Sequence, residues 1–407
     1  MSTAAVPPDA PPAAAAALPP LYTRDFWVAC AVHFTGAMSL AMFILVPLFI
    51  REVGGGEATI GLVLGVGTAA SVALRPLVGL LLDRVGRRPV LLVGGLLNML
   101  SYLPFLGVER VGPWLYLWCT LHAVVWGALF AAYFTYAADL TPAARRAEGI
   151  AVFGVAGMSA NGLGPVLGET IIAESGFATF FLVASGFALL SLLLTPLVPK
   201  RPRVLSAAAA VAPSAKGALL RAARHPGLPV VLVATMLLGV AINAAFFFVA
   251  PYTRDLGIAR SGAFFSAYAA TSVVVRLFGR RILDVLGPHR VSIPAFAVFA
   301  LGLAGLALLP APGLLVLCGV ACGAGHGTLF PVLNALAITR APAHLQGTVV
   351  SLHTAALDLG AVVGTPLCGL VAEVLGWRAM FVLMGVASLA GLVCMATDPR
   401  RRRVAAV

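Results

Sequence analysis

The sequence predicts an all-α membrane protein in which twelve transmembrane helices form two pseudo-symmetric bundles of six. Three observations predict it: a shortage of charge, the number of long apolar runs, and a repeat that links the two halves of the chain. Of 407 residues, 60% are apolar and only 10% charged, with a mean hydropathy of +1.00. A soluble protein carries about a quarter charged residues. Too few charges exist here to cover a soluble body of this length, which argues against a cytosolic enzyme.

A bilayer crossing takes about 20 mostly apolar residues. The first six runs that meet this are Phe26–Ile50, Ala58–Leu82 (broken only by Arg75), Pro89–Val108, Val111–Ala138, Gly149–Ala173 (with Glu169 inside) and Phe177–Pro199. The second set opens with Gly227–Thr253 and Ser261–Leu283, the latter carrying Arg276. Val291–Thr339 has no Asp, Glu, Lys or Arg and is too long for one crossing. Pro310-Ala311-Pro312-Gly313 divides it, because proline removes a backbone donor and glycine favours a turn. Ala343–Ala372, with Asp358 inside, and Ala379–Thr397 complete the count. The implied organisation is a disordered Ala/Pro-rich tail (1–25), a first bundle (26–199), a central loop (200–226), a second bundle (227–397) and a basic tail (398–407). Residues 1–20 lack the basic region of a signal peptide.

Orientation follows from basic residues in short loops. With both termini inside, the inner segments hold 20 Lys and Arg and the outer loops five, namely Arg51, Arg110, Arg254, Arg260 and Arg378. Both ends are therefore expected in the cytoplasm. The net charge of +12 reads as this topology, and no soluble basic face for nucleic acid is expected. All six cysteines fall in apolar stretches, where Cys behaves as a small hydrophobe; neither disulfides nor a metal site are expected.

The repeat is visible around two loops. ALRPLVGLLLDRVGRRP (73–89) and VVRLFGRRILDVLGPHR (274–290) align so that Arg75, Asp83 and Gly86 match Arg276, Asp284 and Gly287 at a constant offset of 201. LTPAARRAEG (140–149) is echoed by RAPAHLQG (340–347). Two homologous halves related by an axis along the membrane normal are the architecture of one large class of secondary transporter.

On these residues the chain resembles the major facilitator superfamily over roughly 22–397. The loop after span two, Gly79-Leu-Leu-Leu-Asp83-Arg84-Val-Gly86-Arg87-Arg88, is similar to the superfamily's signature at every key position. Gly164-Pro165-Val-Leu-Gly168 on span five is similar to a motif of its exporters, with Glu169 where a second glycine is usual. Ala123 stands where proton-coupled drug exporters carry an arginine on span four. The texture of YTRDFW and LTPAARRAEG resembles the bacterial sugar-efflux and multidrug-like branch. The resemblance implies that Asp83, with Asp139 as a second carboxylate, belongs to a charge network that latches the outward-facing state. It also implies that spans one, four, seven and ten line a central cavity. His33, His122, Trp126, Tyr133, Asn243, Phe247, His326 and Asn334 are then candidates to contact substrate, with Asn161 and Tyr268 adding polar groups.

Ionisable residues inside a membrane are costly and so are functional suspects. Asp358 sits near the middle of span eleven with no base beside it in sequence, which suits a group that takes and releases a proton. His326, between Gly325 and Gly327, and Glu169 are the further coupling candidates. Arg75 and Arg276 lie near inner helix ends, where they are expected to snorkel. The glycines of span five share a face and suit close helix packing. No Gly-rich phosphate loop, Ser-His-Asp arrangement or metal-ligand spacing occurs, so neither enzymatic activity nor a cofactor is expected, and a proton gradient is the expected energy source. The expected function is secondary transport of a small organic molecule across the bacterial inner membrane by a monomer in contact with membrane lipids, as proton-coupled export. An uptake symporter or facilitator is the alternative; a non-transporting sensor or scaffold is the reading from another class.

Overall fold

A computed structural model describes residues 19–142, 145–199, 223–258, 260–309, 311–342 and 345–398. Most of the expected N-terminal tail, central loop and C-terminal tail lies outside them. Twelve spans are present among the described residues. The first bundle holds α1 (Arg24–Glu52), α2 (Glu57–Val85), α3 (Arg87–Gly107), α4 (Pro113–Leu140), α5 (146–175) and α6 (177–194). The second holds α7 (Leu228–Phe247, continued by Val249–Asp255), α8 (Gly262–Phe278), α9 (288–307), α10 (Pro312–Arg340), α11 (346–375) and α12 (377–396).

Local chemistry sets the breaks. Thr23 caps α1 by accepting the Phe26 N–H at 3.3 Å. Pro47 cannot donate to the Phe43 carbonyl, and α1 runs through a 3-10 turn at Phe43–Leu45. Pro251 removes the equivalent bond to Phe247, and α7 breaks at Phe248. The repeat thus places one proline break in each half. Arg146–Leu194 and Gln346–Ala396 are each long enough to span a bilayer more than twice, at about 1.5 Å per residue. Each reverses at a glycine with positive φ, Gly176 (75°) and Gly376 (85°), where a side chain would be strained. Ala307 ends α9 and Pro312 opens α10, as Pro310 to Gly313 foretold.

Within each bundle, small residues let helices approach closely. A Cβ on Gly164 would stand 2.7 Å from Ala41 Cβ, and one on Gly168 2.7 Å from Leu45 Cδ1, so this stretch of α5 lies directly on α1. In the second bundle, a Cβ on Gly360 would stand 2.9 Å from Gly239 Cα, so α11 lies equally close to α7. Close backbone packing supplies the dispersion contacts that hold helices together in lipid, where the hydrophobic effect gives no drive.

The bundles meet along two seams, α2 with α11 and α5 with α8. An even number of crossings puts both termini at one end, here called the termini end, with the far end opposite. From Ile60 to Gly67, α2 is buried except at Leu62 and Val66. From residue 71 to Val85 only Leu82 is buried, and Leu77, Leu80, Leu81 and Val85 are exposed around most of the helix. A helix packed on two sides near the far end and on one side near the termini end marks bundles that part towards the termini. On α8 the same change occurs, from buried Phe264, Phe265 and Tyr268 to exposed Val274, Leu277 and Phe278.

Candidate functional site

The far end is closed by matching devices. Glu373 of α11 accepts the Ala58 N–H at the start of α2 at 2.7 Å. Glu169 of α5 accepts the backbone N–H groups of Ser261 and Gly262 at the start of α8, each at 2.8 Å, and the Ser261 hydroxyl. In both, a carboxylate from one bundle satisfies unpaired donors at a helix N-terminus of the other, where the helix dipole favours negative charge. Arg51 on α1 reaches across to Asp255 of α7 at 2.7 Å and to the Pro251 carbonyl at 3.2 Å. Beneath this rim the continuations of α1 and α7 are packed tight, with Leu45, Val46, Ile50 and Val249 fully buried.

Midway along the first seam, the Arg75 guanidinium donates to Asp358 and pairs with it. Asp358 is 15% exposed and Arg75 40%. Asp358 thus has a partner that its own sequence neighbourhood does not show, and Arg75, expected to snorkel, instead crosses to the other bundle. The signal was present in the chain: two lone charges of opposite sign at mid-depth in apolar spans are natural partners. Glu169, expected near a proton path, is a far-end cap. His326 of α10 is hydrogen-bonded to the Tyr268 hydroxyl of α8.

The cavity candidates separate into two groups. His33 stacks on Phe153 at 4.3 Å with Nδ1 3.2 Å from the Phe153 carbonyl. His122 stacks on Phe43 at 3.8 Å with Nδ1 2.9 Å from Ser101 Oγ, and the Tyr133 hydroxyl meets Ser191 Oγ at 3.2 Å. All three are buried and packed inside the first bundle, away from the cleft that the resemblance led one to expect them to line. Tyr268 is likewise buried, in the second bundle. Trp126, Asn161, Asn243, Phe247 and Asn334 are half-exposed. Asn243 donates to Thr365 on α11 at 2.6 Å, and the buried Oδ1 of Asn334 has no hydrogen-bond partner among the described residues. A separate cleft on the far rim, lined by Leu256, Ile258, Leu309 and Pro312 among others, holds none of the candidates.

At the termini end the loop after α2 turns at Gly86, with φ 96°. Gly79 of the same motif has open space where a side chain would stand. Arg87 pairs with Asp139 at 2.9 Å and lies 3.8 Å from Asp83, and Arg88 donates to the Pro196 carbonyl at 2.8 Å. Arg84 is exposed. These links lie within the first bundle and tie α2 and α3 to α4 and α6. Ahead of α1, Tyr22 donates to Glu148 at 2.8 Å; that bond to a carboxylate raises the Tyr22 hydroxyl above its ordinary pKa. Arg145 grips the same carboxylate at 2.7 and 2.9 Å.

Two six-helix bundles, sealed at one end, parted at the other and joined midway by an ion pair, have the architecture of one large class of secondary transporter. A family model described as Major Facilitator Superfamily matches residues 26–365 and 261–406. The chain belongs to that superfamily and is a multi-pass membrane transporter. It is 25% identical over 393 residues to "Multidrug resistance protein MdtG" of Enterobacter lignolyticus (strain SCF1), covering 92% of this chain and 91% of that one. It is 30% identical over 171 residues to an "Uncharacterized MFS-type transporter" of Pseudomonas aeruginosa (strain LESB58), covering 41% and 42%. Among solved structures, the nucleoside transporter NupG superposes with a TM-score of 0.75 at 14% identity, covering 92% and 99%. The xylose transporter XylE from E. coli, in an inward open conformation, superposes at 0.70 and 17% identity, covering 92% and 94%. At such identities these two structures establish the fold alone.

Proposed function

We propose that this protein exports a small organic molecule across the bacterial inner membrane, driven by protons entering through the Arg75–Asp358 seam. Both termini face the cytoplasm, by the 20-to-five distribution of basic residues. The parted end is then the cytoplasmic one, and the arrangement is the state that loads cargo from inside. The observation that carries the proposal is the Arg75–Asp358 pair, a titratable group joining two bodies that must move past one another.

The mechanism follows from charge balance. With Asp358 ionised, its attraction to Arg75 holds α2 against α11 at mid-depth. Once the loaded bundles have rocked and the far end is open, a proton taken from the outer side neutralises Asp358 and leaves Arg75 without its counter-charge, so the seam is free to move and the bundles rock back. Release of the proton to the cytoplasm re-forms the pair. A partly buried pair responds to loss of one charge more strongly than an exposed one. The name of the MdtG relative, multidrug resistance, supports export of organic compounds. The half-exposed Trp126 and Phe247 offer apolar contact beside few polar groups, which suits such cargo. Uptake by symport on the same fold is the alternative.

The test is purified protein in liposomes of fixed orientation, given an imposed pH gradient and a panel of compounds. The expected result is movement of at least one compound against the proton flow, lost in Asp358→Asn. Flux that ignores the gradient in both proteins would remove the coupling, and cargo moving with the protons would favour the symporter.

A further inference from the structure

Arg75 and Arg276 are repeat mates, yet among the described residues only Arg75 of the two has a counter-charge. The two seams run in the same antiparallel register. On the first, Ala58 meets Glu373, a Cβ on Gly61 would stand 3.0 Å from Gly369 Cα, and Arg75 meets Asp358. On the second, a Cβ on Gly262 would stand 3.0 Å from Val166 Cα, and one on Gly162 3.5 Å from Ser266 Cα. Arg276 holds the place of Arg75 in the second half, and the place of Asp358 falls to position 158, at the offset of 200 that relates Gly176 to Gly376. Where the first seam has Asp358, the second has Met158, which is buried.

The consequence is a cation that no described side chain neutralises through an ion pair. Arg276 is half-buried, and its buried Nε has no hydrogen-bond partner among the described residues. Among the described residues it makes no ion pair. Its charge bears on Tyr268 and His326, which are hydrogen-bonded to each other. The Phe246 ring stands edge-on to Tyr268 at 5.2 Å and to His326 at 6.3 Å. A desolvated guanidinium without a carboxylate is costly unless something supplies the charge, and guanidinium suits planar, two-toothed acceptance by carboxylate or phosphate-like groups.

We infer that Arg276 is an anion-docking residue: it binds the acidic group of an organic-anion cargo, whose apolar part lies towards Phe246. The inference rests on the transport reading and narrows its cargo class. It gives the asymmetry a purpose, since a carboxylate at 158 would compete with cargo for the guanidinium, whereas on the first seam Asp358 occupies Arg75 and takes the proton.

The experiment uses three probes of matched shape, namely phenylacetate, phenylacetamide and 2-phenylethylammonium. Binding is read as the rise in melting temperature of the purified full-length protein. Phenylacetate is expected to act at about tenfold lower concentration than the other two, the scale of one charge-assisted bond. Arg276→Gln removes that preference and Arg276→Lys keeps part of it. Met158→Asp, which leaves the arginine in place and supplies the missing carboxylate, also removes it; this arm stands if Arg276→Gln does not fold. Equal action of the three probes on the wild type, or an unchanged phenylacetate effect in both Arg276→Gln and Met158→Asp, would overturn the proposal. Anion-selective binding without flux in liposomes would keep it and sink the transport reading, whereas flux with no preference for anions would do the reverse.

Discussion

The seam between α2 and α11 and the seam between α5 and α8 share a plan and diverge at mid-depth. Each has a carboxylate of one bundle seated on a helix N-terminus of the other, Glu373 on Ala58 and Glu169 on Ser261 and Gly262. Each packs glycine against backbone near the far end, at Gly61 and at Gly162. In the first seam the arginine faces Asp358, and in the second the repeat mate of that aspartate is Met158. The shared parts do what a symmetric machine needs twice, closing one end reversibly. The unshared part is where chemistry can be directional, because a single titratable pair gives one proton a single place to act.

The largest effect that would break this comparison is at Asp358. Asp358→Asn should abolish accumulation driven by an imposed pH gradient, lowering it at least about tenfold, while leaving insertion intact; initial rates in liposomes measure it. Next in size is Gly61→Leu, which drives a branched side chain into Thr365, Pro366 and Gly369. Overpacking of this kind costs about 1–3 kcal/mol and should hold the far end open. A cysteine introduced at Leu48, 6% exposed in the sealed rim, reports it as faster labelling in a background without other cysteines. Glu169→Gln and Glu373→Gln keep an acceptor but lose its charge, at about 1 kcal/mol each. Each should raise Leu48→Cys labelling several-fold, and by similar amounts if the two caps are equivalent. The smallest effect is at the termini end. Asp139 lies 2.9 Å from Arg87 and Asp83 3.8 Å, so Asp139→Asn should lower the melting temperature by a few degrees, more than Asp83→Asn does. Asp83→Asn should nevertheless reduce transport if its role is exercised in the state where the termini end is closed.

Much of the fold is legible in the chain because lipid imposes a simple rule. A crossing must satisfy its own backbone and present about 20 apolar residues, so Phe26–Ile50 or Pro89–Val108 can be read directly. The Arg75/Arg276 and Gly86/Gly287 matches expose the repeat for the same reason that Pro47 and Pro251 break equivalent helices. The site is less legible. Asp358 and Arg75 are 283 positions apart, and only packing of two bundles brings them together. Glu169 reads as a stray intramembrane acid until its partners, the first N–H groups of α8, are in view. His33 and His122 sit on helices that border the cleft, yet which side a ring turns to depends on Phe153, Phe43 and Ser101, contacts with no trace in local sequence. The purpose of Met158 is visible only against Asp358 in the other half.

The central claim is that the bundles rock about the seams and that the charge on Asp358 sets the balance. Spin labels at two exposed pairs, Arg110 with Leu256 at the far end and Arg84 with Arg281 at the termini end, read it directly as inter-bundle distances in lipid nanodiscs. Going from wild type to Asp358→Asn, the far-end distance should lengthen while the termini-end distance shortens, and lowering the pH should move the wild type the same way. Distances at both ends that stay fixed under either change would contradict the account.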